Sequence, residues 1–465
     1  MRSILLILGY ILLISALFRA IPVAVALIYG EPLSMFIFTF LVSALAGIFF
    51  ILVARGREQL LVGPEDALLI AAISFIIIPL IGSISFLPDL GYVDAVFESV
   101  SGFTTTGLSV YPSLVGVNKS VIMWRALIQW MGGLGIIAIF LFIFYHFPVH
   151  SIYAEQQRVS AGKSLYAASG YPRGMGTSIS SATKRILILY TGMTLFGILI
   201  MALSGMELFD SLGITFTSLS TGGFVLSDSF DYKGIQLISI SLMMLLGSLP
   251  FNMYAMLLWE RSVSRNSEIL FFFAIILALF SMGYLFSQNF FISLFHLFSA
   301  VTTTGFALQT IEHHPVIFFL LFVAMFMGGC TASTAGGVKQ VRIILMLKSI
   351  LWALRRIAQP PSQVISLKYE GRIIEEKDLL LVQIFIILSV ITLFAGSFVL
   401  VYLGYDLLDS IFLSMSALGT VGLSTVPVYN IPALGKIVLI FIMLLGRLEI
   451  FPVLLLFRSI FSRVY

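Results

Sequence analysis

Long apolar stretches separated by short polar segments run through the chain from its first residues. Apolar runs extend from Arg2 to Tyr29 and from Leu33 to Val53, with a turn at Gly30 and Glu31 between them. Each run supplies the roughly 20 residues that a helix needs to cross a bilayer. The first run is longer than a signal peptide and lacks a small-residue cleavage site, so both runs are predicted to be membrane-spanning helices.

A short phrase rich in threonine and glycine then occurs four times along the chain. Each copy begins with serine or threonine, has a threonine two residues before a glycine, and ends in leucine or phenylalanine. Such self-similarity indicates tandem structural units. We refer to the copies as phrases 1 to 4, which run from Ser101 to Leu108, Thr217 to Phe224, Ser299 to Phe306 and Ser416 to Leu423.

The register of the repeat extends well beyond the phrases. An aspartate lies 13 residues before the phrase glycine in three copies, and a second glycine follows it by 23 to 25 residues in all four. The repeat therefore covers a whole hairpin, with an entering helix, a short amphipathic segment, the phrase and a leaving helix. The aspartates are Asp94, Asp210 and Asp409, with Ile292 in the third copy, and the later glycines are Gly132, Gly247, Gly328 and Gly446.

Four such hairpins after the leading pair predict the fold class. We expect an all-α integral membrane protein of ten transmembrane helices, in which four tandem helix–pore helix–filter–helix units surround a pseudo-fourfold pore. The predicted entering spans are Asp66–Phe86, Lys184–Leu203, Glu268–Leu285 and Leu379–Leu403, and the leaving spans begin near Ser120, Gly234, Pro315 and Ala433. The predicted divisions are an N-terminal hairpin (1–58), unit 1 (59–150), a cytoplasmic loop with unit 2 (151–262), unit 3 (263–350), and a cytoplasmic loop with unit 4 (351–465).

Composition and charge place the chain in lipid and orient it. With 59% hydrophobic and 10% charged residues, it is too apolar for a water-soluble globule. Basic residues concentrate in the loops after even-numbered spans, so these loops and both termini are predicted to lie in the cytoplasm. The protein itself is predicted to lie in the inner (cytoplasmic) membrane. The opposite loops are acidic, which favours a vestibule that attracts cations, although simple depletion of lysine would give the same pattern.

Other classes of function find little support in the residues. Cys330 is the single cysteine, which excludes an internal disulfide or a cysteine metal cluster, and the five histidines have no metal-binding spacing. The stretch Ala161–Ser164 lacks the first glycine of a phosphate loop, because Gln157 occupies that position. The repeats share one orientation, whereas many carriers of organic solutes have inverted repeats. We therefore expect neither an enzyme nor a nucleic-acid partner.

The phrases themselves predict the transported ion. Non-helical backbone inside a membrane must line a polar path, and glycine allows backbone angles that turn carbonyls toward it. Rings of carbonyls replace the hydration shell of potassium, which would be bound without an organic cofactor. The predicted potassium-binding filter comprises Thr104, Thr105, Thr106, Gly107, Ser220, Thr221, Gly222, Gly223, Thr302, Thr303, Thr304, Gly305, Gly419, Thr420, Val421 and Gly422.

A break is predicted in the leaving helix of unit 3. The stretch from Pro315 to Ile350 would be about 54 Å long as one helix, against a hydrocarbon core of about 30 Å. Small residues cluster after its first third, where they favour irregular backbone and a gate, although a kinked, closely packed helix is the alternative. The predicted gate segment contains Gly328, Gly329, Ser333, Thr334, Gly336 and Gly337.

Charged residues inside the spans are the remaining candidates. Arg447 follows the glycine of the fourth leaving helix and is predicted to act with the gate as a cation barrier, because intramembrane charges are usually functional. The alternative is a structural role, paired with Glu449 or with carbonyls of the broken segment. Arg125 is predicted to snorkel toward the outer face, and no role is predicted for Arg19.

The phrases, together with Trp130–Gly135, Gly328–Gly337 and Gly446–Phe451, resemble a Trk-type potassium uptake subunit of the Trk/Ktr/HKT superfamily. In that superfamily a serine in place of the first filter glycine accompanies sodium transport, so the presence of Gly107, Gly223, Gly305 and Gly422 implies potassium selectivity. Thr420 and Gly222 depart from the family pattern, which leaves open a less selective potassium and sodium transporter. The resemblance also implies a homodimer in membrane lipid with a TrkA-like cytoplasmic nucleotide-binding regulatory subunit. A potential-driven pore and a symporter coupled to protons or sodium both remain open.

Overall fold

The computed structural model describes most of the predicted hairpins. Residues 146–178, which make up most of the predicted cytoplasmic loop before unit 2, lie outside the described residues, as does the C-terminal segment 451–465. The described residues are 2–55, 64–145, 179–260, 266–286, 290–309, 311, 314–360, 366–370 and 372–450.

The two leading spans form a helical hairpin, as predicted. The first span consists of helices Arg2–Phe18 and Ala20–Tyr29, and the second is Ser34–Val53. The spans approach closely at two glycines, because a Cβ at Gly9 would lie 2.8 Å from the carbonyl oxygen of Gly47. Small residues at such a crossing let helices in lipid pack closely.

Each of the four units contains an entering helix and a short helix. The short helices have 12 residues each and end where the phrase begins its irregular backbone. The predicted aspartates lie in their first turns, where a carboxylate interacts favourably with the helix dipole. The entering helices are Pro64–Ser83, Ile179–Leu203, Ser267–Phe286 and Glu376–Tyr402, and the short helices are Tyr92–Phe103, Leu208–Leu219, Phe290–Val301 and Leu407–Leu418.

The leaving helices differ between units. Unit 1 has the long helix Lys119–Tyr145, whereas unit 4 has the shorter Ala433–Arg447. The helix of unit 3 ends at Met327 and resumes as Gln340–Ile357, so the predicted break is confirmed.

The leaving helix of unit 2 was expected as one uninterrupted span, and the structure differs. Helix Ile235–Ser248 turns by 93° into the helical segment Phe251–Trp259. Leu249 and Pro250 between them have extended backbone. The ring of Pro250 cannot donate a hydrogen bond and disfavours helical backbone at the residue before it, which accounts for the bend.

Six helices of the described chain are long and apolar enough to cross a membrane, or seven if the bent pair is one span. These comprise the leading pair and the four entering helices, and the bent pair is the leaving segment of unit 2. Large apolar side chains such as Leu17, Leu277 and Phe398 are exposed on these helices. Exposed apolar side chains on helices of this length suit contact with lipid. In the second predicted cytoplasmic loop, Lys368–Tyr369 pairs antiparallel with Arg372–Ile373.

Candidate functional site

The four phrases share an unusual backbone conformation. The threonine two residues before the glycine is left-handed in every copy, a conformation that few residues other than glycine adopt. The phrase glycine is left-handed as well. The φ angles are 53°, 54°, 55° and 49° at Thr105, Thr221, Thr303 and Thr420, and 87°, 75°, 83° and 93° at Gly107, Gly223, Gly305 and Gly422.

The phrases adjoin one another in chain order. At each phrase glycine, a Cβ would overlap the carbonyl oxygen of the residue before the glycine in another phrase, so only glycine fits without displacement. Phrase 4 meets phrase 1 in the same way, and the contacts close into a ring. The contacts pair Gly107 with Gly222, Gly223 with Thr304, Gly305 with Val421, and Gly422 with Thr106.

The hydroxyl groups of the left-handed threonines are buried, and their partners differ. Thr221 donates to the carbonyl of Ser220 at 2.7 Å, and Thr303 accepts from the backbone N–H of Gly336 at 2.7 Å. The hydroxyls of Thr105 and Thr420 have no hydrogen-bond partner among the described residues. Buried hydroxyl oxygens without partners cost free energy.

The repeated spacing between the phrase glycine and the glycine of the leaving helix has a packing explanation in three units. A Cβ at Gly132 would overlap the carbonyl of Phe103 at the end of the short helix, and Gly446 stands in the same relation to Leu418. Gly247 likewise abuts Leu219. The leaving helix therefore packs directly against the end of the short helix. In unit 3 the equivalent Gly328 has left the helix, with φ 67°.

The broken segment of unit 3, Gly328–Lys339, lies against phrases 3 and 4. The backbone N–H of Gly336 donates to the hydroxyl of Thr303, and that of Gly337 donates to the carbonyl of Gly419 at 3.0 Å. A Cβ at Gly336 would overlap the hydroxyl of Thr420. The segment therefore contacts both phrases through the backbone of two glycines, Gly336 and Gly337.

The same segment also reaches units 1 and 2. The Thr334 hydroxyl lies 2.9 Å from the carbonyl of Leu219 and 2.8 Å from that of Gly247. Arg447, which is 3% exposed, donates from Nη1 to the carbonyl of Thr334 at 2.7 Å and from Nη2 to that of Gly132 at 3.2 Å. The guanidinium thus links the broken segment to the leaving helix of unit 1.

Further bonds hold the two ends of the segment. The N–H of Thr331 donates to the Glu268 carboxylate at 2.5 Å, and that of Cys330 donates to the carbonyl of Ser248 at 3.0 Å. At the other end, Gln340 donates from Nε2 to the carbonyl of Gly328 at 2.6 Å.

The remaining predicted gate residues lie inside the segment. The Ser333 hydroxyl donates to the carbonyl of Cys330 at 2.5 Å, and a Cβ at Gly329 would overlap that of Ala335. The alternative ion pair between Arg447 and Glu449 is not the arrangement found, because Glu449 pairs with Arg342. Arg447 instead binds a carbonyl of the broken segment, which was the other structural alternative.

Comparison with known proteins places this arrangement in a family. A family model described as TrkH, a cation transport protein, matches residues 46–281 and 269–463. The chain belongs to the TrkH family. It is 30% identical to an uncharacterized cation transporter of Methanocaldococcus jannaschii, over 99% of this chain and 96% of that protein. It is 28% identical to the Trk system potassium uptake protein TrkH of Escherichia coli K12, over 99% of both.

A solved structure of a TrkH-family protein has the same fold. The crystal structure of the potassium transporter TrkH from Vibrio parahaemolyticus superposes with a TM-score of 0.84 at 25% identity. The match covers 98% of each chain, so the likeness extends over the whole fold.

The expectation that Arg125 snorkels toward the outer face was wrong. In this TrkH-family chain Arg125 is 1% exposed, and its Nε lies 2.7 Å from a carboxylate oxygen of the buried Glu98. Neither Glu98 nor the neighbouring Gln129 was singled out from the sequence. Gln129 occupies a position at which the other units carry methionine, such as Met244 in unit 2, and the position of Glu98 carries Ile214, His296 and Leu413 in units 2, 3 and 4. A comparison of polarity between the copies would have found them.

Two of the aspartates in the first turns of the short helices make contacts between or within units. Lys436, at the start of the fourth leaving helix, donates to Asp94 of unit 1 at 2.6 Å. The Thr425 hydroxyl donates to Asp409, also at 2.6 Å. These carboxylates therefore have structural partners besides any effect of their charge on cations. Arg19 is also buried and donates to the carbonyl of Ser15 at 3.0 Å.

Proposed function

We propose that this chain takes up potassium across a membrane through a filter formed by phrases 1 to 4. The observation that carries the proposal is the ring of glycine-to-carbonyl contacts, with a left-handed threonine and a left-handed glycine in each phrase. The non-helical backbone at the end of each phrase is called its strand. Four converging segments of this kind present backbone carbonyls that suit the replacement of the hydration shell of potassium. The filter residues of each phrase are its left-handed threonine, its glycine, the residue between them and the residue before that threonine.

The proposed architecture is a pseudo-fourfold pore within ten transmembrane helices, divided at the boundaries predicted from the sequence. In the TrkH-family arrangement proposed here, the four leaving segments complete the count of ten beyond the six helices that qualify by length and composition. We place the protein in the inner membrane with both termini in the cytoplasm. The basic end of helix Gln340–Ile357, with Arg355 and Arg356, supports this orientation.

We further propose that the segment Gly328–Lys339 and Arg447 form the gate. Hydrogen bonds tie the segment to units 2, 3 and 4, and Arg447 ties it to unit 1. A segment in contact with all four units near the filter would obstruct ion passage. Its displacement would break a small, defined set of hydrogen bonds, which suits a gate that opens and closes.

A homodimer and a TrkA-like cytoplasmic nucleotide-binding regulatory subunit belong to the same proposal. Helix Gln340–Ile357 directly continues the gate segment and exposes Leu351, Leu354 and Ile357 toward its end. A partner that moved this helix could act on the gate without contacting the ion path.

The proposed transport function is tested by flux into vesicles that contain the purified protein. An imposed inside-negative voltage should drive potassium uptake, with sodium uptake at least tenfold slower. Uptake that follows voltage without a proton or sodium gradient would support a pore, whereas a requirement for such a gradient would support coupled symport. Equal uptake of potassium and sodium would overturn the proposed selectivity.

Replacing Thr334 with valine tests the gate. The substitution keeps the shape of the side chain but removes the hydroxyl that bonds to Leu219 and Gly247. The segment should be displaced more easily, and potassium flux should rise about threefold, the scale of a hydrogen bond worth about 0.7 kcal/mol. Initial rates of uptake at matched protein content measure the change.

Ser333→Ala is the matched control for that experiment. Among the described residues its hydroxyl bonds to the carbonyl of Cys330 within the segment and to no other unit, so its loss should leave the flux unchanged. If both variants assemble and Thr334→Val conducts no faster than Ser333→Ala, the contact with unit 2 does not hold the gate closed.

A further inference from the structure

The four leaving helices differ in the polarity of two side chains. In unit 1, Arg125 and Gln129 lie one turn apart on the leaving helix, seven and three residues before Gly132. The other units have only apolar residues in the same register. These are Ile240 and Met244 in unit 2, Leu321 and Met325 in unit 3, and Leu439 and Met443 in unit 4.

The two polar side chains bind three backbone groups of phrase 2 and the residue after it. Gln129 donates from Nε2 to the carbonyl of Gly222 at 2.6 Å and accepts from the N–H of Phe224 at 3.0 Å. Arg125 donates from Nη1 to the carbonyl of Val225 at 3.0 Å. These bonds flank Gly223 on both sides. Gln129 is fully buried, so both ends of its carboxamide are satisfied by this one strand.

Gly222 is explained by the same contact. A Cβ at this position would overlap the Gln129 carboxamide. The equivalent positions in the other phrases carry side chains, Thr106, Thr304 and Val421, opposite leaving helices that have methionine in place of Gln129. Gln129 and Gly222 are therefore a complementary pair, and the extra glycine of phrase 2 makes room for a side-chain hydrogen bond.

Arg125 is itself held on the side of phrase 1. Glu98 accepts from Arg125 Nε at 2.7 Å and from the N–H of Val110 at 2.9 Å. Ser109 donates to the same carboxylate at 3.0 Å and accepts from Arg125 Nη2 at 3.0 Å. The buried charges are thus paired and hydrogen-bonded, and they connect the strand that follows phrase 1 with the strand of phrase 2.

The carbonyl that Gln129 holds is also the one that faces Gly107. A Cβ at Gly107 would overlap the carbonyl oxygen of Gly222, which is the acceptor for Gln129 Nε2. Movement of this carbonyl would therefore alter the contact between phrases 1 and 2. At the contact between phrases 2 and 3, the side chain of the equivalent methionine, Met244, has no N–H that could donate to a carbonyl.

We infer that Gln129 is a positioning residue for cation selectivity, which holds the carbonyl of Gly222 and the strand of phrase 2 in place. Arg125 and Glu98 brace the same strand from the side of phrase 1. The inference rests on the proposed function of the phrases as a potassium filter. It assigns to the strand of phrase 2 a carboxamide restraint that the methionines in the same register of the other units cannot supply.

The test is Gln129→Met, which installs the residue found at this position in the other units. The ratio of potassium to sodium uptake in vesicles should fall about fivefold, the scale of one buried hydrogen bond, while total potassium flux changes less than twofold. Met244→Leu, at the equivalent position of unit 2, is the control and should leave the ratio unchanged.

Hydrogen exchange provides a second readout that does not depend on transport. The amide of Phe224 donates to Gln129, so its exchange should be faster in Gln129→Met than in the wild type, whereas exchange in phrase 3 should not change. If Gln129→Met does not assemble, Gly222→Ala serves instead. Its methyl group displaces the carboxamide, and it should lower the same ratio.

Gly107→Ser distinguishes a failure of the role of Gln129 from a failure of the proposed potassium filter. A lower potassium-to-sodium ratio in Gly107→Ser, with an unchanged ratio in an assembled Gln129→Met or Gly222→Ala, would overturn the role of Gln129 and leave the filter standing. Unchanged ratios in all of these variants would overturn both. Reduced ratios in Gln129→Met and Gly107→Ser, with Met244→Leu unchanged, would support both.

Discussion

Arg447→Gln should raise potassium flux through this TrkH-family protein about tenfold. The guanidinium is buried beside the broken segment Gly328–Lys339, and Glu449, its nearest acidic residue in the sequence, pairs with Arg342 instead. Two unit charges about 6 Å apart repel by roughly 3 kcal/mol at an effective dielectric constant near 20. Relief of half that repulsion corresponds to about a tenfold rate change. Initial rates of potassium uptake into vesicles, normalised to incorporated protein, measure the effect.

Arg447→Lys distinguishes charge from hydrogen bonding at the same position. Lysine keeps the positive charge, but its ammonium lacks the fork that lets Arg447 bind the carbonyls of Thr334 and Gly132 together. If charge is the main barrier, the lysine variant should stay close to the wild-type rate. Equal acceleration by lysine and glutamine, in variants that assemble normally, would show that Arg447 acts by holding the segment in place.

Gly107→Ser should lower the ratio of potassium to sodium permeability at least tenfold. The residue has φ 87°, and a Cβ would overlap the carbonyl oxygen of Gly222. A non-glycine residue in this conformation costs roughly 1 to 3 kcal/mol, so the strand should shift and present its carbonyls in a different geometry. A change of about 1.4 kcal/mol between the two ions is a tenfold change in selectivity. Paired potassium and sodium fluxes at one imposed voltage give the ratio.

Gly116→Ser is the matched control for this substitution. Gly116 has a similar φ of 83°, and a Cβ there would meet no atom within 4 Å. The two variants therefore carry comparable backbone strain but differ in contact with another phrase. An equal loss of selectivity in both would show that general destabilisation is responsible, and the assignment of phrase 1 to the filter would fail.

The repeated hairpin could be predicted because most of its signals are local. Apolar length indicated the leading pair, and the phrase glycines marked the positions at which left-handed backbone is found. The length of the stretch from Pro315 to Ile350 required a break, and the helix does end at Met327. These features depend on the backbone preferences and hydropathy of neighbouring residues, which a single sequence displays.

The bend after Ser248 had a local signal that was missed. Pro250 stands two residues after the last residue of the helix, and residues before proline disfavour helical backbone. Hydropathy alone continues across this position, so the apolar pattern predicted a longer span than the structure contains. The helix changes direction here because Pro250 has no backbone N–H to donate. A count of apolar residues does not detect this.

The hydrogen-bond partners of the buried polar side chains could not be predicted from the pattern of neighbouring residues in the sequence. Arg125 and Glu98 are separated by 27 positions, and Thr334 lies 115 positions from Leu219. Each pair meets only because particular helices pack together. A buried donor binds whichever acceptor the packing brings within reach, and sequence spacing does not specify that acceptor.

The sequence by itself determined the number and order of the phrases, their glycine and threonine chemistry, and the place of the broken helix. Tertiary structure alone decided that the phrases adjoin in chain order, that Gln129 binds phrase 2, and that Arg447 binds the carbonyl of Thr334. The division has a physical reason. Backbone conformation and partition into lipid depend on each residue and its neighbours, whereas the pairing of buried polar groups depends on distances between segments that are set only when the helices pack.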